Sequence, residues 1–295
     1  MNTIKGFIRS FRRRWRNERY LRSAAAHTDA FLVSYPKSGR TWLRYLLSCY
    51  FAETAHLGFE PDLTSTFSVL PNFDRDPVRG IGAFVGRQRR HLPLILVSHL
   101  PFDKRLFQSR PIIFLVRDPR DVFVSAYFHA TRHKHSFSGD IGAFMDEPTY
   151  GMPALINFLN GWAEGLAARR HIILSYERML AAPEVEVGKL INFLGMKPEP
   201  IALGKAIAKA SFDRMQAKER EQGIPGHEYD RNDGQSMRMR SGKAKAYSET
   251  LSPEQSRQIV ERCRKGLTPL AQALLAHADF DIRPTAPNKL ELAVA

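Results

Sequence analysis

Short continuous apolar runs alternate along the chain with longer stretches whose apolar positions recur every three to four residues. Phe31–Tyr35, Leu94–Ser98, Ile112–Val116 and Ile172–Ser175 read as strands, and Leu94–Ser98, bounded by Pro93 and Pro101, has the pattern of one buried in a parallel sheet. Between them, Leu43–Phe51 reads as a helix, 137–170 as mostly helical, and about 183–195 and 199–209 as two more. Ser252-Pro253-Glu254 begins a capped helix to about Lys265, and Thr268-Pro269 another to about His277. Strands near 31, 94, 112 and 172 alternating with helices predict one α/β domain with a parallel sheet and right-handed crossovers.

Three stretches stand outside this alternation. Residues 3–23 are expected to form a helix with Ile4, Phe7, Ile8, Phe11 and Trp15 along one stripe and arginines around the rest. Residues 54–90 are loop-rich, and their Phe59, Phe67, Phe73 and Phe84 follow no single period; these rings are expected in the core, with an acceptor-pocket wall as the alternative. Gly223 to Gly234 is polar and rich in Gly and Pro, a loop of the length that moves or closes over something. The predicted organisation is a basic helix over 1–24, one domain over 25–283 and a flexible tail over 284–295.

Composition narrows the class. At 43% hydrophobic and 11% aromatic, 295 residues suffice for a sizeable core. No apolar run approaches the roughly 18 residues of a membrane span, and no secretory h-region follows the basic N-terminus. Cys49 and Cys263 lie far apart in helical patterns, which suggests neither a disulfide framework nor a zinc site. The expectation is a cytoplasmic protein, with contact to the inner face of a membrane through residues 1–24 left open. Of the net charge of +14, half lies in 1–24, where Lys5, Arg9, Arg12, Arg13, Arg14, Arg16, Arg19 and Arg22 face only Glu18. That segment suits an anionic lipid surface, an acidic polymer, or simple docking of its stripe on the core. The other half of the excess fits a protein that grips a polyanion.

The candidate chemistry sits where strands end. Tyr35-Pro36-Lys37-Ser38-Gly39-Arg40-Thr41-Trp42 joins the first strand to the first long helix. Loop amides and a helix N-terminus converge there, Lys37 adds a mobile charge, Ser38 and Thr41 add hydroxyls, and Gly39 permits close approach, so the stretch predicts a phosphate cradle. A plain strand-to-helix turn is the alternative. It is not the nucleoside-triphosphate loop, because the lysine precedes the glycine. His99 follows the strand at 94, on the edge where open α/β sheets bind ligands. Arg117-Asp118-Pro119-Arg120-Asp121 to Ser125 is a second strand-to-helix junction, suited to a terminal phosphate, or else an Arg117 pair with Asp118 or Asp121 at a solvated helix start. His133 and His135 lack an acidic or cysteine partner at suitable spacing, so no metal is expected.

These segments together resemble the sulfotransferase family, over roughly residues 30–255. The first matches the family's Tyr-Pro-Lys-Ser-Gly-Thr-Thr-Trp except at Arg40. Val97-Ser98-His99-Leu100-Pro101 stands where the family has Lys-Thr-His-Leu-Pro, so the lysine's role is unfilled. Arg117 and Ser125 match its 3′-phosphate segment, Tyr176-Glu177 its Tyr-Glu-Asp, and Ala210-Ser211-Phe212 to Met215 its Thr-Ser-Phe-x-x-Met. Arg240-Ser241-Gly242 resembles Arg-Lys-Gly with serine for lysine, and Ala246-Tyr247 replaces Asp-Trp.

The resemblance implies a three-layer, P-loop-like α/β fold with helices on both faces of the sheet. It implies sulfuryl transfer from 3′-phosphoadenosine 5′-phosphosulfate (PAPS) to a hydroxyl or amine, with no metal. It implies His99 as base and Lys37 at the leaving group, with Trp42, Tyr176 and Phe212 around the adenine. Ser38, Gly39, Arg40, Thr41, Arg117, Ser125, Arg240, Ser241 and Gly242 complete the nucleotide contacts. The acceptor is left as a small molecule or saccharide and a homodimer is left open; no nucleic-acid partner is expected. The alternatives are a kinase-like phosphotransferase using the same cradle, or a basic membrane or nucleic-acid adaptor built on residues 1–24.

Overall fold

The computed structural model describes residues 16–88, 92–225, 227–280 and 282. Residues 1–15 and the tail from 284 lie outside these, so only the end of the expected N-terminal helix is seen, as α1 over 16–25, with Leu21 and Ala25 buried. The chain then runs β1 Ala30–Ser34, α2 Arg40–Thr54, α3 Thr66–Val69, β2 Ile95–Ser98, α4 Lys104–Phe107, β3 Ile112–Val116 and α5 Pro119–Phe128. It continues through α6 Met152–Ala167, β4 His171–Ser175, α7 Tyr176–Ala181, α8 Pro183–Phe193, α9 Pro200–Lys209, α10 Phe212–Gln222, α11 Pro253–Gly266 and α12 Pro269–Ala276. All four strands are parallel, in the order β2-β1-β3-β4.

The register explains the continuous apolar runs. Phe31 lies opposite Leu96 and Ile112, and Leu32 opposite Val97 and Ile113, so each row of side chains faces one side of the sheet. Phe31, Val33, Leu96, Ile112 and Phe114 join the apolar sides of α5, α6, α11 and α12. Leu32, Ile95, Val97, Ile113 and Leu115 join those of α2, α8 and α9. With helices over both faces neither row can be polar, and three layers result. Each helical layer holds one buried free thiol, Cys263 in the first and Cys49 in the second.

Two expectations change. The stretch 137–170 is helical only in a single turn at Ala143–Asp146 and in α6, because glycines at 139, 142 and 151 and Pro148 interrupt it, while Pro153 sits in the first turn of α6. Helix α10 was not expected; it is strongly polar and buries only Met215 and Glu219, so its apolar period is faint. Of the four loop phenylalanines, Phe67, Phe73 and Phe84 are buried and Phe59 is exposed. No described helix is long and apolar enough to cross a membrane.

Candidate active site

A cavity of about 490 Å³ opens along the carboxyl ends of the strands. The segments that follow all four contribute to it: Pro36 to Trp42 after β1, His99 after β2, Arg117 and Ser125 after β3, and Tyr176 after β4. This is the edge where open α/β sheets bind ligands. The far wall comes from α9, α10 and the loop to Gly242.

The β1–α2 corner is a tight turn in which the Ser38 amide donates to the Tyr35 carbonyl at 3.4 Å. Lys37 has φ 72°, a conformation costly for a side-chain-bearing residue and concentrated at functional sites. Gly39 caps α2 at φ 93°, and a Cβ there would lie 2.4 Å from the Tyr176 ring. Glycine is therefore required twice over. Trp42 meets Tyr176 edge-on at 5.6 Å and donates its Nε1–H to the Ala210 carbonyl at 2.9 Å, tying the corner to the end of α9. Phe212 begins α10 and packs so closely on Gly242, at φ 64°, that a Cβ would meet its ring at 2.2 Å. Trp42, Tyr176, Phe212, Leu180, Ile207 and Met215 form an aromatic and apolar slot at this end.

The β3–α5 corner faces the same space. Pro119 occupies the first turn of α5 and Asp118 caps it, accepting the Arg120 amide at 2.9 Å. Arg117 does pair with Asp121, but in a buried corner instead of a solvated helix start: Nη2 stands 3.6 Å from Asp121, while Nη1 donates to the Lys37 carbonyl at 3.2 Å. Its guanidinium also stacks 4.1 Å over Tyr176. Asp121 accepts the amides of Lys245 and Tyr247, both at 2.8 Å, and so draws the segment carrying Arg240, Ser241 and Gly242 against α5. Glu177 accepts the Asp118 amide at 2.9 Å and the Ser175 hydroxyl at 2.8 Å, which fixes this corner to the next strand.

His99 is strapped from both sides. Its Nδ1 lies 2.7 Å from the Ser34 carbonyl, and the neighbouring Leu100 carbonyl accepts Trp162 Nε1–H at 3.0 Å. A carbonyl only accepts, so Nδ1 carries the hydrogen and Nε2 keeps its lone pair. Burial, with Arg40 the leading nearby charge, holds this imidazole well below the usual histidine range, so it is neutral near pH 7.

The sequence-predicted residues Lys37, Gly39, Arg40, Thr41, Trp42, His99, Arg117, Ser125, Tyr176, Phe212, Arg240, Ser241 and Gly242 all line the one cavity. Ser38 does not. It is 2% exposed, tucked beneath the turn that presents Lys37. The same wall holds His129, Lys134, Tyr150, His227 and Arg238, which pattern reading did not single out. His133 Nε2 lies 3.1 Å from His227 Nδ1, and the described residues include no group of three or more His, Cys, Asp or Glu side chains placed to hold a metal ion.

Positive charge dominates. Lys37, Arg40, Arg117, Lys134, Arg238 and Arg240 line the cavity, and none of its described lining residues is acidic. Burial first, then Arg238, Arg117 and Arg240, push the Lys37 ammonium down to about 7, against a favourable contribution from Glu219. The Nε atoms of Arg117, Arg238 and Arg240, and His129 Nδ1, are out of contact with solvent and lack a hydrogen-bond partner among the described residues. Buried donors left unmade and cations crowding one another are what a bound polyanion would relieve.

One cavity of this α/β fold thus joins an aromatic slot to two cationic strand-to-helix corners, a lining that suits a nucleotide with more than one anionic group. The sulfotransferase domain model matches residues 27–271, and the chain belongs to that family. It is 28% identical over 202 residues to a 3-alpha-hydroxysteroid sulfotransferase of Cavia porcellus, covering 65% of this chain and 67% of that one. With Sulfotransferase 2A2 of Rattus norvegicus it is 30% identical, over 62% of this chain and 65% of the relative. The chain thus matches about two thirds of the length of these relatives. The fold is also that of a mouse sulfotransferase, SULT7A1, solved in complex with PAP, with TM-score 0.59, 23% identity, and coverage of 85% of this chain and 89% of that one.

Proposed function

We propose that the protein transfers a sulfuryl group from PAPS to a hydroxyl or amine. The observation that carries this reading is that the two corners serve one cavity, with Arg117 donating directly to the Lys37 carbonyl. The residues fit the nucleotide: the aromatic slot suits the adenine, Arg117, Ser125 and Arg240 a terminal 3′-phosphate, and Lys37, Thr41 and the first amides of α2 the 5′ end. PAPS supplies a sulfuryl group already bonded to a good leaving group.

The protein's own part is positioning and charge. His99 Nε2, held facing the cavity by the Ser34 carbonyl, accepts the acceptor's proton. Lys37, once an anion is bound beside it, recovers its full charge and stabilises the leaving phosphate oxygen. The wall beyond His99 carries His129, Lys134, Tyr150 and His227, so the proposed acceptor is a small molecule or saccharide with polar groups flanking its nucleophile. The polar wall, not the relatives' names, supports that choice.

Calorimetric titration with adenosine 3′,5′-bisphosphate (PAP), followed by transfer from radiolabelled PAPS to a panel of acceptors, tests the reading. Saturable binding and labelled product are expected. No binding of the bisphosphate, or group transfer from ATP and Mg²⁺ instead, would overturn it.

A further inference from the structure

One buried acid holds the loop that closes the cavity. Glu219 is fully buried on α10, and its Oε1 accepts the Arg238 amide at 2.7 Å and the Tyr229 hydroxyl at 2.6 Å. Its Oε2 accepts the Met239 amide at 2.8 Å. The backbone of 238–239 is thereby pinned, and Arg238 leaves it toward the cavity.

The guanidinium is then fixed by a chain of imidazoles whose protons can be placed. His133 Nδ1 lies 3.0 Å from the Ser236 carbonyl, so it carries the hydrogen and Nε2 accepts. His227 Nδ1 must donate to it, at 3.1 Å, which leaves His227 Nε2 to accept from Arg238 Nη2 at 2.6 Å. Both rings are neutral: burial, the largest cause for each, pushes His133 down to about 4 and His227 down to about 3. The His133 ring stacks on Tyr229 at 4.2 Å, which closes the bracket onto Glu219. Two neutral histidines and one carboxylate thus orient an arginine whose Nε has no partner among the described residues.

Arg238 lines the cavity together with Lys37, His99 and His129. It is the leading charge acting on Lys37, and it also bears on His99 and His129. Arg240, in contrast, answers first among charges to Arg117, at the other corner. Val97, where the family pattern has lysine, is 1% exposed in the apolar layer beneath α2, so the strand delivers no cation to the transfer end.

We propose that Arg238 is a catalytic residue that binds the sulfuryl oxygens of the donor, with Glu219, His227 and His133 as its positioning residues. The assignment rests on the donor reading given above. His99 Nε2 takes the acceptor's proton as the acceptor's oxygen or nitrogen bonds to sulfur. The bridging S–O bond breaks with its electron pair left on the 5′-phosphate, which Lys37 neutralises, while Arg238 holds charge on the sulfuryl oxygens in flight.

The test compares PAP, which lacks the sulfuryl group, with PAPS, each titrated in the absence of acceptor. Arg238→Ala is expected to bind PAP within about twofold of wild type and PAPS roughly tenfold or more weakly, as loss of a charge-assisted hydrogen bond implies. Its kcat is expected to fall by about 10² to 10³. Arg238→Lys, which keeps charge without the fork, should fall between the two, and it serves as the comparison if the alanine variant does not fold. Unchanged PAPS affinity and kcat in a variant that binds PAP overturns the proposal. A raised KM for the acceptor alone also overturns it, by assigning the arginine to an acid on the acceptor. If wild type binds neither nucleotide, the donor reading fails instead. Glu219→Gln should lower kcat about tenfold at unchanged PAP affinity, and an unchanged kcat there removes its bracing role.

Discussion

The cavity has two ends built by different means. At the proposed nucleotide end most groups follow a strand terminus closely, Lys37 and Trp42 beyond β1, Arg117 beyond β3 and Tyr176 beyond β4, with Phe212 and Arg240 added from α10 and the loop after it. At the transfer end only His99 has that origin. His129 follows the end of α5, and Arg238 and His227 arrive from a long irregular loop, where one buried carboxylate and two neutral imidazoles hold Arg238. The two ends are fixed by separate sets of bonds. Recognition and chemistry should therefore separate on mutation.

The sharpest break in that comparison is His99→Ala, expected to cost about 10² to 10⁴ in kcat with PAP affinity unchanged. Turnover at the wild-type rate in this variant would remove His99 from the mechanism. Next is Lys37→Met, with a kcat loss of roughly 10² to 10³. Because Lys37 titrates at about 7 in the folded protein against 10.5 normally, the unfolded chain binds more protons between those values. Stability of the free protein accordingly rises with pH across that window. At pH 7 and below the methionine variant should melt higher than wild type, by roughly 2–4 °C for each kcal/mol relieved. A lower melting temperature would show that the buried ammonium is compensated.

Arg117→Ala probes the other end. PAP affinity should fall roughly tenfold to a hundredfold, with a reduced preference for the 3′-phosphate over adenosine 5′-phosphate and a much smaller change in kcat at saturation. Retained preference would reassign the 3′-phosphate. The smallest effect is on protons. At pH 8, where free Lys37 is mostly neutral, PAP should restore its charge, so calorimetry in buffers of different ionisation enthalpy should report net proton uptake approaching one per nucleotide. Proton release would contradict the assigned charge surplus.

Much of the nucleotide end was legible because its chemistry is contiguous: Tyr35 to Trp42 and Arg117 to Ser125 each carry strand end, turn and helix start in one stretch. The four strands and the capped α11, where Ser252 and Gln255 form a reciprocal capping box, were read from equally local patterns. Arg238 was not legible, because a lone arginine in a basic run gains meaning only from Glu219, nineteen residues away on an unforeseen helix. His129 and His227 are 98 residues apart, and no spacing rule joins them. Ser38 shows the limit of a contiguous motif. It belongs to the matching motif, yet the turn that presents its neighbour turns it inward.

The two sulfhydryls give the molecule an internal pair of clocks. Cys49 lies in the core on the sheet's α2 side and Cys263 in the core on its α11 side, and neither lines the cavity. Reaction of each with an external disulfide reagent therefore times the opening of one helical layer independently of the other.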